Sequence, residues 1–150
     1  MTTILADTRL GLMCADSNLT DGDRSWKAKK VHRIRGALVG LAGTALHAPY
    51  FIDWYAKGMV DPPDFEFTDS TALVLDHDGL WLFDSNCDTL TRVASGREAI
   101  GSGGKGAICA FEALGFLDAA KAVRIACTHD SGSRPPVRTY HLVPTARKQR

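Results

Sequence analysis

Short apolar runs broken by turn residues fill the first third of the chain. TTILAD (residues 2–7) and GLMCAD (residues 11–16) flank Thr8, Arg9, Leu10 and Gly11, and predict an N-terminal hairpin. Residues 17–26 (SNLTDGDRSW) are polar and rich in turn formers, and read as a loop. KKVHRI (residues 29–34) alternates, and ALVGLAG (residues 37–43) is continuously apolar. Together they predict a second strand pair turning at Arg35 and Gly36. The spacing changes over residues 44–58, where Ala45, Ala48, Phe51, Ile52 and Tyr55 would share one helical face. Pro49 suits the first turn of that helix and Gly58 its end.

A proline-containing connection over residues 59–69 leads to TALVLD and LWLFDS, a third hairpin around Asp76, His77, Asp78 and Gly79. Short strands follow near residues 90–94 and 98–102. Two helices come next, GAICAFEALG and DAAKAVRIACTHD, the second with Asp118 as N-cap. VRTYHLV is a last strand. Antiparallel hairpins dominate and the helices come in blocks, which predicts an α+β fold with helices packed on antiparallel sheets.

Length and charge narrow the functional classes. The 150 residues suit one domain, taken as residues 1–143 with a basic tail over 144–150. The chain is 45% hydrophobic and 23% charged with a net charge of +1, so no strong field draws nucleic acid or a membrane surface. No apolar run approaches the roughly 20 residues of a membrane span. Asp7 and Arg9 interrupt the start before a secretory apolar stretch can form. Cys14, Cys87, Cys109 and Cys127 form no CxxC pair and no zinc-ligand spacing, and read as buried free thiols in a reducing, cytoplasmic setting. Asp76, His77 and Asp78 read as a polar turn rather than metal ligands, and no cofactor or metal is expected.

The glycine-rich stretch IGSGGKGA (residues 100–107) invites a phosphate-loop reading, which its spacing defeats. Gly104 and Lys105 are followed by Gly106, so the magnesium-binding hydroxyl is missing, and Ala99 stands where the first glycine belongs. On these residues alone the stretch is a close-packed strand-to-helix turn.

The N-terminus carries the chemistry. Met1 precedes Thr2, a residue small enough for methionine trimming. Trimming would leave a hydroxyl and a free α-amine on one residue, a nucleophile with its own base. Around it stand TTI (2–4), ADS (15–17), KKV (29–31), GLAG (40–43), AIGSGG (99–104) and HDSGS (129–133). In that order the chain resembles the proteasome β-type N-terminal-nucleophile (Ntn) hydrolases, most of all those of the HslV type.

The resemblance implies a four-layer αββα sandwich. Only about a dozen residues separate Gly58 from Thr71, so one layer should carry one helix instead of two. It further implies Thr2 as nucleophile, Lys30 beside its amine and Asp16 holding Lys30. The Gly43 backbone would be the oxyanion hole, and Ser102 would sit next to the amine. Asp130 and Ser133 would form a second support cluster, and Thr20 would bind substrate backbone. Leu41 would lie at the base of an apolar specificity pocket. A homo-oligomeric ring acting on peptide or unfolded protein, with an ATP-dependent unfoldase as possible partner, goes with that reading. A small-amide hydrolase on the same site and a silent scaffold subunit remain the alternatives.

Overall fold

The computed structural model describes residues 1–21, 23–87 and 89–144; the basic tail beyond Pro144 lies outside them. A four-stranded antiparallel sheet has the order β10-β1-β2-β11, formed by Arg97–Ile100, Ile4–Asp7, Leu12–Ala15 and Arg138–His141. A five-stranded sheet has the order β5-β6-β7-β8-β9, formed by Val31–Ile34, Ala37–Ala42, Thr71–Leu75, Leu80–Asp84 and Thr91–Arg92. Helices α2 (Gly104–Ala113) and α3 (Ala119–His129) cover the first sheet, and α1 (Ala48–Ala56) covers the second.

Period-two alternation builds these layers. In β1 and β2, Ile4, Ala6, Met13 and Ala15 face the other sheet, where they meet Leu38, Leu73, Leu75 and Leu80. Leu5 and Cys14 point the opposite way, onto Ala107, Phe111, Ala122 and Val123 of α2 and α3. The second sheet does the same, sending Val39, Leu41, Val74 and Phe83 toward Phe51 and Tyr55 of α1. Four layers result: helix, sheet, sheet and a helix pair.

The single helix suffices because the segment after it is aromatic. Phe65 and Phe67 pack against Trp54 and Phe51, and Phe51, Trp54 and Phe67 all reach Phe83, with ring centroids 5.2–6.1 Å apart. Aromatic side chains carry a large apolar area each, so this short segment adds substantially to the cover over the sheet.

Several sequence expectations need correction. Residues 17–26 are no loop: Asn18–Asp21 (β3) and Arg24–Lys27 (β4) form a two-stranded ribbon, with Leu19 opposite Trp26. Lys30 immediately precedes β5 instead of lying in it. Ala45 is exposed, because residues 45–47 form a 3-10 turn and α1 starts only at Ala48. Helix α2 opens two residues early, at Gly104. Only Cys14 is fully buried; Cys109 is exposed and Cys87 and Cys127 are half-buried. The Asp118 cap forms as read, its carboxylate accepting from Lys121 N at 2.8 Å. Asp76 accepts from the Asp78 and Gly79 amides and Trp81 Nε1, so its carboxylate organises the turn.

Candidate active site

β1 and β2 deliver Thr2 and Asp16 to the same end of the first sheet, since the register pairs Ile4 with Ala15. Asp16 is buried and accepts four hydrogen bonds. Its Oδ1 takes Thr3 N at 2.9 Å and Lys30 Nζ at 2.8 Å, and its Oδ2 takes Asn18 N at 3.0 Å and Arg134 N at 3.2 Å. Four donors offset the cost of burying the carboxylate. Lys30 is buried beside it and also donates to the Met1 carbonyl at 3.0 Å, which places its ammonium against the peptide leading into Thr2. Burial pushes the Lys30 ammonium below its ordinary value, and the hydrogen bond and charge of Asp16 pull it back up.

The glycine-rich turn approaches from the opposite side. Thr2 N donates to Ser102 Oγ at 3.3 Å, Gly103 N donates to the Thr2 carbonyl at 3.3 Å, and Ser102 Oγ donates to Asp130 Oδ2 at 2.9 Å. Gly101 has φ +88°, and a Cβ there would overlap the Thr2 carbonyl. The turn is glycine so that backbone can touch backbone beside Thr2. Lys105 points to solvent.

Ser133 enters through a residue that sequence reading missed. Its Oγ lies 2.7 Å from Thr3 Oγ1, so Ser133 joins the site through the second threonine rather than through Thr2. Asn18 Nδ2 also ties that segment down, donating to the Gly132 carbonyl at 3.0 Å. A hydroxyl after the first threonine was the available signal for Thr3, but hydroxyls are too common to single out. Cys127, on α3, has its thiol pushed up to about 11 by burial and by the nearby Asp16 and Asp130 carboxylates.

Beside Thr2 and Lys30 opens a cavity of about 260 Å³. Leu41 and Gly43 line it as expected, together with Leu19, Ile52 and Phe67. Gly43, at φ +110°, has no room for a side chain against Asp69 and Ser70. His47 Nδ1 lies 2.8 Å from Ser70 Oγ at the same wall. Thr20 Oγ1 accepts from the Met1 amine at 3.4 Å, on the cavity's ribbon side. The eight other sequence-predicted site residues thus lie around Thr2, with Ser133 reaching it through Thr3 and Thr20 through Met1.

No protein-family model matches the chain, and no curated protein matches it. Solved structures do. Thiobacillus denitrificans BPH superposes with a TM-score of 0.72 at 18% identity, over 96% of this chain and 100% of that one. The same protein in complex with epoxomicin gives 0.73 at 18% identity, over 95% and 100%. Eukaryotic HslV from Trypanosoma brucei gives 0.74 at 24% identity, over 93% of this chain and 98% of that one. The chain therefore has the HslV-like, proteasome β-type fold, an α+β sandwich spanning nearly its whole length. Among the described residues no helix is long and apolar enough to cross a membrane.

Proposed function

We propose that the protein is a threonine peptidase of the Ntn type, with Thr2 as nucleophile once Met1 is removed. The observation that carries the proposal is the buried Lys30–Asp16 pair lying against the peptide into Thr2. Burying two charges at a chain end is costly and needs a reason. A cation at that position disfavours a second positive charge on a neighbouring amine, whose unperturbed pKa is about 7.7–8.0. The Thr2 amine is then free to act as base near neutral pH.

The remaining steps follow from placement. The amine takes the proton of the Thr2 hydroxyl as Oγ1 attacks the scissile carbonyl. The oxyanion forms in the cavity, against the Gly43 backbone. The amine passes its proton to the departing amine, leaving an ester on Thr2. Water, oriented by Ser102 and Asp130, then hydrolyses that ester through the same base. Leu19, Leu41, Ile52 and Phe67 give the cavity an apolar lining suited to an apolar side chain of the substrate. Thr20, on the ribbon side, would bind substrate backbone.

The same reading gives a cytoplasmic homo-oligomeric ring that encloses its sites, takes peptide or unfolded protein, and works with an ATP-dependent unfoldase. Epoxomicin, which the Thiobacillus denitrificans BPH structure contains, is the probe. Incubation of Met1-free protein followed by peptide mapping should place one adduct on Thr2. An adduct elsewhere, or none with intact folded protein, would leave a silent scaffold as the better account.

A further inference from the structure

Met1 and the 130–133 segment meet beside Thr2 in a way the mechanism above does not use. The Met1 side chain folds over Gly132, so a Cβ on Gly132 would overlap its Cβ, Cγ and Cε alike. Gly132 is buried, while Met1 itself is 53% exposed. Neither residue lines the cavity of Leu41 and Gly43. The methionine side chain therefore rests on a second flank of Thr2, outside the cavity assigned to the acyl side of the substrate.

That flank does not depend on Met1 for its shape. Asn18 Nδ2 donates to the Gly132 carbonyl at 3.0 Å, Ser133 Oγ lies 2.7 Å from Thr3 Oγ1, and Arg134 N donates to Asp16 Oδ2 at 3.2 Å. All of these anchors come from residues that remain when Met1 is removed. The surface under the methionine is thus held in place in the trimmed chain, which is the preorganisation a subsite needs.

The proposed reaction directs the leaving residue to the same flank. To pass its proton on, the Thr2 amine must come within hydrogen-bond distance of the departing nitrogen. Its own Cα takes one direction around the Thr2 nitrogen, Ser102 Oγ at 3.3 Å takes a second, and Met1 takes the third. The departing nitrogen then enters the space that Met1 fills in the untrimmed chain, and the side chain next to it falls over Gly132. We infer that Gly132 floors the subsite for the residue on the leaving side of the scissile bond, and that its missing side chain admits an unbranched apolar residue such as methionine there. The inference deepens the Thr2 reading above and rests on it. An apolar side chain about half covered in this way should be favoured over glycine by roughly three- to tenfold. Alanine at position 132 would fill the same space with a methyl group and remove that preference.

The test uses Met1-free protein, checked by intact mass, and a pair of internally quenched peptides. The peptides share an apolar residue before the cleavage site and differ only in carrying Met or Gly after it. Mass spectrometry of the products fixes the bond that is cut. Wild-type protein should cleave the Met peptide with a kcat/KM roughly three- to tenfold above that for the Gly peptide. In Gly132→Ala the ratio should fall to about one or below, because the methyl group blocks the larger residue and not the smaller. A general loss of folded protein would lower both rates together and leave the ratio where it was. A wild-type ratio near one, or a ratio that survives Gly132→Ala, overturns the subsite and leaves the Thr2 reading standing. Folded, trimmed wild-type protein that cleaves neither peptide and takes no epoxomicin adduct on Thr2 overturns both.

Discussion

Lys30 donates to Asp16 at 2.8 Å with both side chains out of water, and the same Asp16 oxygen accepts the amide of Thr3 at 2.9 Å. The ion pair and the start of β1 are therefore held by one carboxylate. Replacing Asp16 by Asn should cost more than orientation of Lys30. An amide can offer its oxygen on one side only, so its NH2 must face either Thr3 N and Lys30 or Asn18 N and Arg134 N. Leaving such donors unsatisfied should cost about 1–3 kcal/mol, seen as a lower denaturant midpoint together with lost activity. A variant with unchanged stability would show that water rescues the site.

Lys30→Ala should move the acid limb of the peptidase pH–rate profile upward. Removing the cation stabilises the protonated Thr2 amine, so its pKa rises and the base is free only at higher pH. Activity at pH 7 should fall steeply and recover partly in alkaline buffer. An acid limb in the same place would mean that Lys30 does not tune the amine.

The lowered pKa of Lys30 also has a stability consequence. The unfolded chain holds that proton more tightly than the folded one. Wild-type stability should therefore rise relative to Lys30→Met as pH climbs from the lowered folded value toward 10.5, with a slope of at most about 1.4 kcal/mol per pH unit. Below that window the slope difference should vanish. Urea unfolding of both proteins between pH 7 and 10.5 checks the sign.

Gly101→Ala should be far more damaging than an exposed turn position suggests. The backbone is left-handed there, at φ +88°, and the new methyl would displace the Thr2 carbonyl. Activity should be lost even where the melting temperature falls by only a few degrees. Retained turnover would show that Thr2 needs no support from the turn.

Much of this was legible because buried strands leave a period in the sequence. Ile4 and Ala6 against Leu5, or Leu38 against Val39, announce two covered faces, and the helical spacing of Phe51 and Tyr55 announces a third. The β3–β4 ribbon leaves no such trace. Every residue of β4 is exposed, so no core selects apolar residues, and Asn and Asp read as turn formers. The roles of Thr3 and Asn18 were hidden for another reason. Their partners Ser133 and Gly132 lie more than a hundred residues away, and only the folded register brings them together.

Met1 gives the last and most discriminating prediction. Its amine reaches Thr20, its carbonyl takes Lys30 at 3.0 Å, and its side chain packs on Gly132 so closely that a Cβ there would overlap it. While Met1 is attached, the nitrogen of Thr2 is an amide. Its lone pair is delocalised into the carbonyl and cannot accept a proton near neutral pH. The Met1 form should therefore be inactive with every side chain in place, and activity should track the fraction of chains that begin at Thr2. Gly132→Ala tells the two forms apart without an assay of turnover. With Met1 present the added methyl must push against the methionine side chain, and the melting temperature should drop by several degrees. In the trimmed form that neighbour is gone, and the same substitution should be close to neutral. Intact-mass analysis fixes which form is being melted. Full activity in a sample whose every chain retains Met1 would remove the Thr2 amine from the mechanism, whatever Gly132→Ala does.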